Sequence, residues 1–309
     1  MRLKQIIRCI VWSISILLVI FLVGDFAYSR YVARKLDRWE KTVERDENGV
    51  MNGCQAYSLS PPQPSEVVVL LVHGINDTPY CWRKLAPELG KTVHVRAMRM
   101  PGFGEPLPVC AEKRAEDWIA AVKTEVQTLR EKHKQVYVVA HSLGGAVTIQ
   151  TLLREGEAQE EFLDGIVLLA PAIEVSNRRS PILPTRFWHR FGGLLVFTKT
   201  TYNPFGNDTK DPSEQEAPNR VRFCSRTTVD ETFKLIDENR GRESEIRLPV
   251  LLVLSDQDNV NDHEASAVWF KKISSDRKET HWQNSSGHAL QYDLGWDTVA
   301  RKISEFVQP

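Results

Sequence analysis

The chain opens on an almost unbroken apolar run. Cys9–Val23 is 15 positions long, with only Ser13 and Ser15 as polar interruptions. Counted from Ile6, with Arg8 snorkelling to the headgroups, a helix over this run measures roughly 27 Å against about 30 Å of hydrocarbon. Tyr28 and Tyr31 fall where an interfacial aromatic belt sits. The pattern predicts an N-terminal transmembrane anchor over residues 1–28. A cleaved signal sequence shares the charged start and apolar middle, but cleavage after Ala27 would put Asp25 where a small residue is preferred. Arg2, Lys4 and Arg8 precede the run, and Arg30, Arg34, Lys35 and Arg38 follow it. The positive-inside balance is therefore nearly even and leaves the side of the membrane open. Residues 29–64 read as a polar stalk or linker ending in Pro61, Pro62 and Pro64.

From residue 65 to 309 strand and helix patterns alternate. Val67–Val72 is a continuous β-branched and leucine run, as a strand buried on both faces requires. Val136–Ala140, Gly165–Leu169 and Val250–Leu254 repeat it, and Val93–Met98 does so more weakly. Helical stripes lie between them. Glu112–His133 carries Trp118, Ile119, Val122, Val126 and Leu129 on one face, and Leu143–Arg154, Glu264–Ile273 and Leu294–Val307 follow. Alternation of this kind predicts an α/β domain with a mostly parallel sheet and helices on both faces. Residues of about 173–248 separate two strands by more than a crossover needs. They hold Phe187, Trp188, Phe191, Leu194, Leu195, Val196 and Phe197, flecked with basic side chains, then a Pro/Asn/Asp/Gly-rich stretch over 203–219. This segment is expected to cap the sheet's C-terminal edge.

Charge changes the picture at one end only. Lysines plus arginines number 40, as do aspartates plus glutamates. Residues 1–45 hold 9 basic and 4 acidic side chains, leaving the remainder with 31 and 36. The positive excess flanks the apolar run, which points to a membrane surface and away from nucleic acid. The five cysteines (Cys9, Cys54, Cys81, Cys110 and Cys224) form no C-x-x-C pair and no zinc spacing. Free thiols are expected, with a single bridge such as Cys81 to Cys110 as the alternative.

Candidate chemistry gathers at strand ends. Ala140-His141-Ser142-Leu143-Gly144-Gly145 joins a strand to a helix. Small residues there allow the sharp turn that lifts a serine hydroxyl above a sheet. His73-Gly74-Ile75 follows the first buried strand. Its Ile75 amide, with that of Leu143, could hold an oxyanion. Asp256, Asp258 and Asp262 follow Val250–Leu254, and any of them could orient an imidazole. Of eight histidines, His288 stands in a Ser/Gly loop before the last helix, where a base would be needed. His281 reads as structural and His141 as packing beneath the turn. Asn76-Asp77-Thr78, Asn207-Asp208-Thr209 and Asn284-Ser285-Ser286 match a glycosylation pattern; the first and last flank the candidate site, where glycans would obstruct it, so the matches read as chance. No metal or cofactor is implied: there is no H-E-x-x-H, phosphate loop or dinucleotide fingerprint.

A nucleophile, acid and base in this chain order resembles the serine α/β-hydrolases of the monoacylglycerol lipase, lysophospholipase and carboxylesterase type. The HG-x loop, Met100-Pro101-Gly102-Phe103-Gly104, the serine turn, the late aspartate and Gly287-His288 carry the resemblance. It implies an α/β-hydrolase fold over about 65–307 and selects Asp258 as the acid beside Ser142 and His288. Ala140 stands where glycine is commoner. The implied activity is ester cleavage through an acyl-enzyme on a small-molecule or lipid ester, with single-acyl-chain lipids expected from the apolar cap and anchor. Small-ester carboxylesterase or thioesterase activity shares the same site. A catalytically silent, membrane-tethered binding module would be favoured by loss of a triad member, and all three are present.

Overall fold

The computed structural model describes residues 2–180, 182–215 and 220–308. Residues 216–219, the end of the Pro/Asn/Asp/Gly-rich stretch, lie outside it, as do residues 181 and 309 of the expected domain. The apolar N-terminus forms one helix, α1 (Arg2–Glu40). There follow β1 (Tyr57–Leu59), β2 (Val67–Val72), α2 (Leu85–Leu89), β3 (His94–Met98), α3 (Leu107–Glu112) and α4 (Ala115–Arg130). Next come β4 (Gln135–His141), α5 (Leu143–Glu155), α6 (Gln159–Phe162) and β5 (Gly165–Leu169). The insertion carries α7 (Thr185–Gly192), β6 (Thr200–Tyr202), β7 (Phe223–Ser225) and α8 (Arg226–Asn239). β8 (Val250–Leu254), α9 (His263–Lys271), β9 (Lys278–Trp282) and α10 (Trp296–Val307) close the chain.

Seven strands pair in the order β1-β3-β2-β4-β5-β8-β9. β1 runs antiparallel to β3, and the other neighbours are parallel. β2, β5 and β8 are buried throughout, because alternate residues feed opposite layers. Val68, Leu70 and Val72 pack with Trp118 of α4, Ile149 of α5 and Phe270 of α9. Val69 and Leu71 pack with Leu85 and Leu89 of α2 and Ile303 and Phe306 of α10. This is the α/β sheet covered on both faces that the alternation predicts. All five cysteines are free thiols.

Three expectations need correction. The single helix over Glu112–His133 is two, because Lys113 and Arg114 are extended. The Arg114 guanidinium donates to the carbonyls of Ala111, Glu112 and Lys113 as α3 ends. The Asp117 carboxylate accepts from the Arg114 N–H at 2.8 Å as α4 begins. The insertion over 173–248 is not all cap: α8 sends Leu235 and Ile236 into the main core, whereas α7 buries no residue. Residues 29–64 are not a free stalk. α1 continues through them to Glu40, and Val32 packs with Leu107 and Phe223. Beyond it, the Met51 N–H and the Arg45 guanidinium both bond the Gly104 carbonyl at 2.8 Å. The polar look of this segment came from its outer face, while Val32, Val50, Met51 and Cys54 turn inward.

Candidate active site

β4 ends at His141 and α5 begins at Leu143, so Ser142 must make the whole turn. It does so at φ 54°, ψ −118°, a left-handed conformation that costs a non-glycine residue about 1–3 kcal/mol. The turn works only with a neighbour that has no side chain: a Cβ on Gly144 would lie 2.5 Å from the carbonyl oxygens of both Val72 and His73. That contact locks the start of α5 against the end of β2. It also brings the His73-Gly74-Ile75 loop beside Ser142, since a Cβ on Gly74 would fall 3.0 Å from that of Ser142. Among the described residues, neither the Ile75 nor the Leu143 amide donates to another group. Leu143 is the first helical residue, where N–H groups have no intrahelical acceptor.

The three loops after β4, β8 and β9 converge. His288 Nε2 lies 3.0 Å from Ser142 Oγ, and His288 Nδ1 lies 2.8 Å from Asp258 Oδ2. Serine, histidine and aspartate are each no more than 4% exposed. The other Asp258 oxygen accepts the amides of Val260 and Asn261 at 2.7 and 2.9 Å, which fixes the carboxylate. Of the competing aspartates, Asp262 instead caps α9 through the Ala265 N–H, and Asp256 stands partly open to solvent. His141 lies under the site, its ring 4.6 Å from that of His288. Its Nε2–H donates to the His288 carbonyl at 3.0 Å. Burial, then the neighbouring His288, holds its pKa well below the ordinary value, so it stays neutral. His73 is also buried. Its Nδ1–H donates to the Gly74 carbonyl, while Nε2 accepts the Met100 N–H at 3.1 Å. Burial pushes its pKa down to about 4. It thereby ties the HG-x loop to the Met100–Gly104 loop, and takes no part near Ser142 Oγ.

A family model described as Hydrolase_4, serine aminopeptidase, S33 matches residues 63–295. The chain belongs to this family. It is similar to a thermostable monoacylglycerol lipase of Bacillus sp. (strain H-257), 24% identical over 83% of this chain and 95% of the relative. A carboxylesterase of Bacillus subtilis (strain 168) is 22% identical over 78% and 92%. A solved metagenome-derived lipolytic enzyme superposes with a TM-score of 0.71 at 20% identity, covering 84% of this chain and 98% of that one. The chain is a serine hydrolase of the esterase and lipase type on the α/β-hydrolase fold.

Around the candidate site of this serine hydrolase stand side chains that local pattern does not reveal. Asn261 Nδ2 donates to the Ala170 carbonyl at 2.8 Å and approaches Ser142 Oγ at 3.5 Å. Asp208, from the insertion, accepts the Asn259 N–H at 2.8 Å and the His288 N–H at 3.2 Å, and pairs with Arg179. Burial pushes the Asp208 carboxyl up, but these Asn259 bonds and the Arg179 charge bring it below its ordinary range. Asp293, fully buried, gathers the amides of Gly287, Lys210 and Asp211. The insertion is thus bolted to the loops that carry both Asp258 and His288. Asn207 is similarly committed: its Oδ1 accepts from Arg220 and its Nδ2 donates to the Glu214 carbonyl.

Proposed function

We propose that Ser142, His288 and Asp258 are the triad of an ester hydrolase acting on single-acyl-chain lipids such as monoacylglycerol or lysophospholipid. The unbroken relay from Ser142 Oγ through His288 to Asp258, at 3.0 and 2.8 Å, carries this reading. His288 Nε2 takes the proton as Ser142 Oγ attacks the ester carbonyl. The Ile75 and Leu143 amides receive the oxyanion, and Asp258 holds the imidazolium. His288 then protonates the leaving alcohol, and water, activated by the same histidine, releases the fatty acid. Lipid rather than soluble substrate is favoured by the exposed apolar insertion and the names borne by the lipase relatives.

Residues 1–28 serve in this reading as a retained anchor, and 65–309 as the hydrolase domain with its insertion. Leu3–Glu40 is long and apolar enough to cross a membrane. Retention is supported by α1 running unbroken past Ala27, with Asp25 bound to the insertion.

Fluorophosphonate labelling of the full chain in detergent tests the site. One adduct is expected on the parent and none on Ser142→Ala, whose turnover falls by about 10³-fold or more. An equally labelled Ser142→Ala would refute the assignment. Turnover of glycerol monoesters should rise from butyryl to oleoyl, and a preference for butyryl would replace the lipid reading with a small-ester one.

A further inference from the structure

The insertion leaves an unusual amount of apolar surface uncovered. Phe187 and Trp188 of α7, with Leu194, Val196 and Phe197 after it, are all exposed, Leu194 at 64%. The patch is continuous with α1. The Phe21 ring meets Phe191 edge-on at 5.7 Å, and Phe26 meets Phe197 at 5.4 Å. Phe21 belongs to the last turn of the apolar run, so α7 lies level with the end of the span that hydrocarbon would cover.

One residue sets that level. Asp25 is only 5% exposed, at the margin of the apolar run. A carboxylate there is costly in a bilayer unless it is fully paired. Its Oδ2 accepts the Val196 and Phe197 N–H groups at 2.7 and 2.9 Å, and its Oδ1 accepts that of Thr198 at 3.0 Å. Ser29 Oγ adds a bond to the Phe197 carbonyl at 3.0 Å. The acid and the loop satisfy each other, so neither is complete alone. Exposed Arg30, Arg190 and Lys199 add positive charge for lipid phosphates near this margin.

We infer that α1 and the insertion enter the bilayer as one unit, pinned by Asp25, with Trp188 and its apolar neighbours in the acyl-chain margin of the adjacent leaflet. This rests on the anchor reading of α1 and goes beyond it: the membrane helix is a structural part of the cap and fixes its depth. An amphipathic face immersed by about 5–10 Å is an ordinary interfacial arrangement.

Tryptophan fluorescence of the full chain in nanodiscs of brominated phosphatidylcholine, against unbrominated discs, tests it. The signal lost in Trp12→Phe reports the anchor, and that lost in Trp188→Phe reports α7. Both contributions should fall clearly in bromolipid relative to the unbrominated discs. A quenched Trp12 with an unquenched Trp188 would overturn the inference and leave the anchor standing. With neither quenched, the anchor reading itself falls, and the inference with it. Asp25→Ala should leave Trp12 quenching unchanged and weaken that of Trp188; unaltered Trp188 quenching would remove Asp25 as the pin.

Discussion

The turn around Ser142 and the outer face of the insertion are opposites in the same chain. Around Ser142 the hydroxyl, imidazole and carboxylate are buried and joined in a relay, and the packing has no slack for a methyl group. On α7 large apolar side chains stand open and no residue is buried. The first region is complete within the domain, as preorganised catalysis requires. The second leaves Phe187, Trp188 and Leu194 uncovered by the rest of the domain. Rigidity and exposure are therefore divided between the two regions, and the buried Asp208 and Asp293 contacts join them.

Adding one methyl group to each region should separate them most widely. Gly144→Ala drives a Cβ to 2.5 Å from two backbone carbonyls. It should cost about 4 kcal/mol or more, or prevent folding. Gly192→Ala meets nothing within 4 Å and should stay within about 0.5 kcal/mol of the parent. Urea unfolding in detergent measures both, and equal losses would mean the contrast is not one of packing.

Acid should loosen the buried side first. The unfolded chain takes up a proton on His73 near the ordinary value of 6.5, which the native state refuses until about 4. The stability from its neutral form is complete above about pH 6.5 and is lost as the pH falls toward 4. The loss is on the order of 3 kcal/mol from this histidine. His141 acts in the same direction. His73→Asn, which keeps a polar side chain, should flatten the fall in Tm between pH 6.5 and 4.5. A slope as steep as the parent's would assign the acid sensitivity elsewhere.

A smaller effect tests the strain at Ser142. Ser142→Gly should abolish turnover yet raise stability by about 1 kcal/mol, since glycine adopts a positive φ without cost. Ser142→Ala, still carrying a Cβ, should be inactive without that gain. Identical Tm values for the two would show that the turn stores no strain.

Much of the buried side was legible in the chain itself. β5 and β8 lie where their apolar runs predict, because strands covered on both faces need apolar residues at every position. β9 (Lys278–Trp282) has no buried residue, so its hydrophobic pattern was weak. The Ser142 turn was readable because its small residues are demanded locally by backbone crowding.

Other features carried no local mark. Asp208 stands 50 residues before Asp258 and 80 before His288, yet holds backbone amides of both loops. Residues 29–54 looked polar because only Val32, Val50, Met51 and Cys54 are fully buried, with Leu36, Trp39 and Val43 partly so, and a surface-packed segment shows too thin a stripe to read. The sequence by itself determined the sheet, the turn and the apolar span, since each answers to forces between near neighbours or to solvent. Residue pattern left three aspartates open and the family resemblance picked Asp258, which is the one that meets His288; only the tertiary structure decided that the insertion braces both loops and that Asp25 of α1 meets Val196–Thr198. Those are contacts between polar groups distant in the chain, whose partners are set by where the sheet delivers them.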